Sequence, residues 1–63
     1  MERVMYINHN NEDVTITMTD DVCTATTDDG DMFFHFEFSD TSVDPKSEIV
    51  DEFGEDVYNE LVS

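Results

Sequence analysis

The chain has 63 residues and carries 17 Asp and Glu against two basic residues, Arg3 and Lys46, for a formal charge of −15. A chain this short makes one domain over residues 1–63, with no room for a cofactor fold beside a substrate domain. A charge this negative argues against nucleic acid or an anionic membrane as a direct partner, because either would repel it, and it favours basic surfaces.

Along the chain, Val4-Met5-Tyr6-Ile7 is a short apolar run of strand type. Asn8 to Asn11 follows as a turn, since Asn tolerates positive φ. Val14, Ile16 and Met18 then alternate with Thr15, Thr17 and Thr19, which predicts a half-buried strand with a threonine face outward. Asp20-Asp21 interrupts the pattern, and Val22 to Thr27 reads as a third strand whose Thr24 and Thr26 are candidates to lie beside that face. Asp28-Asp29-Gly30-Asp31 contains the Asp-Gly hairpin signal. Beyond it, Met32, Phe34, Phe36 and Phe38 alternate with Phe33, His35 and Glu37. This predicts a fourth strand that supplies most of the core volume and turns Phe33 and His35 away from the helix.

Ser39 to Val43 is a loop, and Asp44-Pro45 starts a helix, with Asp as N-cap and Pro at the first helical position. The apolar spacing now changes to 3.6. Ile49, Val50, Phe53, Val57 and Leu61 fall on one face, with Glu48, Asp51, Glu52 and Glu55 on the opposite arc. One helix is expected from there to Val62, weakened at Gly54 by about 1 kcal/mol relative to Ala. The expected fold class is α+β: a four-stranded antiparallel β-meander with a C-terminal amphipathic helix packed on one face.

Low hydrophobicity with high charge is also the composition of disordered chains. Here the two Tyr and five Phe residues and the periodic apolar runs indicate a folded domain with a small core. Such a domain is marginally stable, and self-repulsion weakens it further; dimerisation or a cation-rich partner would offset this. Cys23 is the single cysteine, which removes an internal disulfide and favours a reducing compartment. Residues Met1 to Asp13 lack the apolar stretch of a signal peptide, and no apolar run approaches membrane-spanning length. The expected location is cytoplasmic, or the host cytoplasm for a viral protein.

Enzyme chemistry is poorly supported. His9 and His35 are the only histidines, and local spacing suggests no Ser-His-acid or Cys-His arrangement. Against a calcium loop, the positions before Gly30 that should hold ligands include Ala25, and position twelve is Phe36, so that pattern fails. Cys23, His9 and His35 have no zinc-site spacing. The expectation is no catalysis, no metal and no cofactor.

The acidic display remains. Solubility of a small domain needs a net charge of only about 2–8, and the excess costs stability. The helix acids Glu48, Asp51, Glu52 and Glu55, with the turn acids Asp20, Asp21, Asp28, Asp29 and Asp31, form the candidate contact surface. Carboxylates accept the same Arg and Lys hydrogen bonds as phosphates. In size, charge and lack of catalytic residues the chain resembles the small acidic DNA-mimic inhibitors that bacteriophages make against host DNA-binding proteins such as restriction, repair, nucleoid or CRISPR components. The resemblance implies a non-enzymatic inhibitor, in host takeover or anti-defence, whose partner is a basic DNA- or RNA-binding host protein; it carries no shared motif and assigns no residue. Two alternatives compete. One is an adaptor or homodimerisation domain using Phe33 and the sheet edges. The other is high-salt adaptation, which fits ten Asp and one Lys but not the single Ala and the Asn content.

Overall fold

A computed structural model describes residues 2–40 and 42–63. Four strands, β1 (Arg3–His9), β2 (Glu12–Met18), β3 (Val22–Thr27) and β4 (Met32–Glu37), pair antiparallel in the order β1-β2-β3-β4. Two helices, α1 (Pro45–Phe53) and α2 (Glu55–Val62), follow. The expected α+β meander is present, with the helical region on one face.

The turns follow from their residues. Asn10 and Asn11 both have positive φ, 53° and 66°, as a two-residue hairpin turn matching the twist of its strands requires. The β2–β3 turn is closed by Thr19, whose Oγ1 accepts from the backbone N–H groups of Asp21 and Val22 at 3.2 and 3.1 Å. These turns set the register: Ile16 pairs with Met5 and Ala25, and Thr17 with Val4 and Thr24.

One face of the sheet forms the core. Val14, Ile16, Cys23 and Ala25 are buried against Ile49 of α1 and Leu61 of α2, with Met5, Ile7, Phe34, Phe53, Val57 and Tyr58 packed around them. The threonine face lies on the other side, where Thr15 pairs with Thr26 and Thr17 with Thr24, as the alternation predicts, while Thr19 falls past the end of β2 and serves the turn instead.

The fourth strand departs from a simple alternation. The β3–β4 loop closes Thr27 on Asp31, with the Thr27 N–H donating to the Asp31 carbonyl at 2.9 Å, and Gly30 supplies a φ of 90°. This places Met32 opposite Thr26, on the outer face. Continuing in step would turn Phe33 and His35 inward and Phe34 and Phe36 out, because a one-residue slip flips every side chain. A bulge absorbs Phe33 instead, and Phe34 pairs with Ala25, Phe36 with Cys23. Met32 is therefore exposed and outside the core set, and Phe33 does not face away from the helices: its ring lies 6.1 Å from that of Phe53 on α1.

The single expected helix is two. Asp44 caps α1 as expected, its Oδ1 accepting from the Lys46 N–H at 3.2 Å with Pro45 at the first helical position. At Gly54 the backbone takes φ 100°, ψ 161°, a conformation that glycine adopts and other residues resist. The Gly54 N–H still donates to the Val50 carbonyl at 2.8 Å, and its carbonyl accepts from Tyr58 at 3.3 Å, so the chain re-enters a helix at once with a changed axis. Lys46, 5.6 Å from the Tyr58 ring, ties α1 to α2. Neither helix is long and apolar enough to cross a membrane.

Candidate functional site

In a meander, successive turns lie at alternate ends of the sheet, so the turn acids are split. The Asn10–Asn11 turn and the Asp28–Asp31 loop share one end; Asp20 and Asp21 lie at the other. The nine acids singled out from the sequence are therefore not one patch.

At the first end, Glu12 opens β2 and stands opposite His9. The Asp28 N–H donates to the Asp13 carbonyl at 3.1 Å, drawing the β3–β4 loop against β2. As a result, carboxylate oxygens of Glu12, Asp28 and Asp29 lie within 4.8 Å of one another, all on exposed residues. Three exposed carboxylates without a further ligand do not by themselves build a cation site; together they concentrate negative potential. Glu52 of α1 joins this end through its Oε2, 3.4 Å from His9 Nε2.

Between these groups is a recess of about 140 Å³ lined by His9, Glu12, Val14, Asp31, Phe33 and Glu52, among others. Ligand pockets for small molecules run to about 300–1,000 Å³, so this one has the scale of a single side chain. Its aromatic and aliphatic floor with a carboxylate rim suits the stem and head of a Lys or Arg from a partner.

At the second end, a shallow groove is lined by Asp20, Asp21, Val22, His35, Glu37 and Phe38, among others. The Phe38 N–H donates to the Asp21 carbonyl at 2.9 Å, which fixes the Asp20–Asp21 turn to the end of β4. Beyond the groove, Asp40 Oδ1 accepts from the Ser42 hydroxyl at 2.6 Å and from the Ser42 N–H at 3.0 Å. The side-chain bond, then the backbone bond, holds the Asp40 carboxyl below its ordinary value of 3.8.

The remaining helix acids are dispersed. Glu48 is half-buried, Asp51 and Glu55 are exposed, and the break at Gly54 removes Glu55 from any continuous acidic line with Glu48, Asp51 and Glu52. Glu12 and Glu37 were not singled out from the sequence, yet each lines one of the two acidic ends. Counting the hairpin register outward from Asn10–Asn11 is the signal that finds Glu12.

Cys23 is buried on the helix side, and burial pushes its thiol from an ordinary 9.0 up to about 11. His35, paired with Thr24, projects from the opposite side of the sheet, so the two share no site. His9 ends β1 rather than sitting in a free turn, and it is half-buried. Compared with known proteins, the chain matches no family model, no curated protein and no solved structure.

Proposed function

We propose that the protein is a non-enzymatic acidic inhibitor that binds the basic surface of a nucleic-acid-binding host protein by DNA mimicry. The observation that carries this reading is charge per length. The molecule measures 31 Å along its long axis, so fifteen net negative charges amount to one per about 2 Å. Duplex DNA presents one per about 1.7 Å. The density comes from the whole body rather than from the helix alone, because the acids are spread over both ends of the sheet and both helices.

A basic groove that meets this surface displaces the cations gathered around its carboxylates and gains charge-assisted hydrogen bonds, as it would on phosphates. In this reading Asp28, Asp29, Asp31, Glu12 and Glu52 make one contact region and Asp20, Asp21 and Glu37 a second, with Glu48, Asp51 and Glu55 adding charge from the helices. The recess beside Phe33 takes one Lys or Arg as an anchor, since such buried contacts dominate interface energetics.

The test is an affinity pull-down from a bacterial lysate, repeated with competing duplex DNA and at rising salt. Retention of a nucleic-acid-binding protein that DNA displaces, with affinity falling as salt rises, is the expected result. Partner binding indifferent to both DNA and salt would overturn the reading.

A further inference from the structure

The sheet face turned away from the helices has the opposite character to the acidic ends. Val4, Thr17, Thr24 and His35 form one cross-strand row, and Tyr6, Thr15, Thr26 and Met32 form the next. None of these eight is acidic, although 17 of the 63 residues are. Acids border the band at both ends: Asp13 pairs with Asn8 beyond the Tyr6 row, and Glu37 pairs with Val22 beyond the Val4 row. The band's flanks are apolar and open, with Val4 47%, Tyr6 78% and Met32 55% exposed. Both helices pack on the other face, and no described element covers this one.

Charge selects the occupant. A basic partner is drawn to the acid-rich ends and helices, not to a neutral band. A second copy, itself at −15, is repelled wherever acid would meet acid, and this band is where two copies can touch without opposing carboxylates. Area sets the strength. Four strands at about 4.8 Å spacing and the two acid-free rows at about 6.8 Å give a band of roughly 19 by 14 Å. That is about 270 Å² in projection, more with side-chain relief, against about 800 Å² per partner in a standard interface. The contact falls in the weak, reversible class.

We propose that two copies pair through this face, sheet against sheet, with their helices and acidic ends outward. Tyr6 and Met32 bury the largest apolar area in the pair, and the four central threonines form its flat middle. The pairing is independent of the DNA-mimic reading, and its salt response has the opposite sign. Screening weakens attraction to a basic partner but relieves repulsion between copies.

The experiment is sedimentation equilibrium on the full chain up to about millimolar concentration, at about 0.02 and 0.5 M NaCl, where the screening length falls several-fold. The dimer fraction is expected to rise several-fold with salt. Amide chemical shifts followed with concentration should move on the rows of Tyr6 and Val4 and not on the helices. Thr17→Glu places like charges in the contact and should weaken pairing at least tenfold. Tyr6→Ser, at a position too exposed to disturb folding, should also weaken it. A chain monomeric at millimolar concentration in high salt overturns the proposal, as does a dimer loosened by salt or one whose shifts map to the helices. Shifts on the band that appear only with an added basic protein would assign the face to that partner and overturn it equally. Loss of pairing leaves DNA-competable partner binding untouched, so the two readings fail separately.

Discussion

His9 and Phe33 sit on opposite edge strands of the sheet, yet their rings lie within 3° of parallel with centroids 6.1 Å apart. Phe53 of α1 meets both, at 5.2 Å from His9 and 6.1 Å from Phe33, and meets Phe34 at 5.3 Å. The two edge residues thus close over one end of the core beneath the helix. This arrangement exists because the bulge in β4 puts Phe33 on the helix side.

The bulge can be checked by a pair of substitutions. Phe33→Ala removes two ring contacts and part of the closure. As Phe33 is still 40% exposed, the expected cost is about 1–2 kcal/mol, below the about 3–5 of a fully buried Phe. Met32→Ala, on the open face, should stay within about 0.5 kcal/mol in monomeric protein. Urea denaturation measures both; equal effects, or a larger one at Met32, would contradict the observed register.

Gly54 gives a prediction whose sign is diagnostic. In a continuous helix, Gly54→Ala would stabilise by about 1 kcal/mol. At φ 100° an L side chain is strained even though open space surrounds the added carbon, and the expected result is destabilisation by about 1–3 kcal/mol. A rise in melting temperature for Gly54→Ala would mean that the helix runs unbroken.

Much of the fold was legible because local chemistry and global pattern agree. Val14, Ile16 and Met18 mark the core face of β2, Asn10–Asn11 a twisted turn, and Asp44–Pro45 a helix start. The misreadings share one cause: a periodic pattern does not reveal where the chain pauses. Ile49, Phe53, Val57 and Leu61 keep a spacing of four across Gly54, so the break leaves no trace in the apolar stripe. Likewise Phe34, Phe36 and Phe38 alternate whether or not Phe33 is bulged. The candidate surface was legible as a set of residues but not as a place. Asp21 and Asp28 flank the six residues of β3 and so end up at opposite ends of the sheet, and Glu12 meets Asp28 and Asp29 only through pairing across β2 and β3.

Cys23 provides a chemical probe of opening. Its thiol is buried and raised to about 11, so a disulfide reagent at neutral pH should label it only through unfolding, at a rate that climbs with urea. Because the folded value lies above the ordinary 9.0, the neutral thiol favours the folded state. That contribution is complete below about pH 9 and disappears as pH rises towards 11. Thermal melts of the wild type against Cys23→Ala across this range should show the extra alkaline loss in the wild type alone.

The Glu12, Asp28 and Asp29 cluster should pull stability and binding in opposite directions. Asp28→Asn relieves like-charge repulsion and is expected to raise stability by a few tenths of a kcal/mol at low salt, with the gain fading as salt screens it. The same change should weaken binding to a basic partner. Denaturation at two salt concentrations, alongside partner titration, checks both signs; a gain in both would remove the cluster from the contact surface.

The strand order carries one more consequence. Every strand pairs with its neighbour in the chain, and the helices follow last. No segment has to wait for a distant one before its hydrogen bonds can form, so the search for the native state is short. The hairpins can assemble one after another as residues become available, with α1 and α2 closing the apolar face at the end. A chain with few apolar residues and strong self-repulsion is thereby spared the slow collapse that long-range pairing demands.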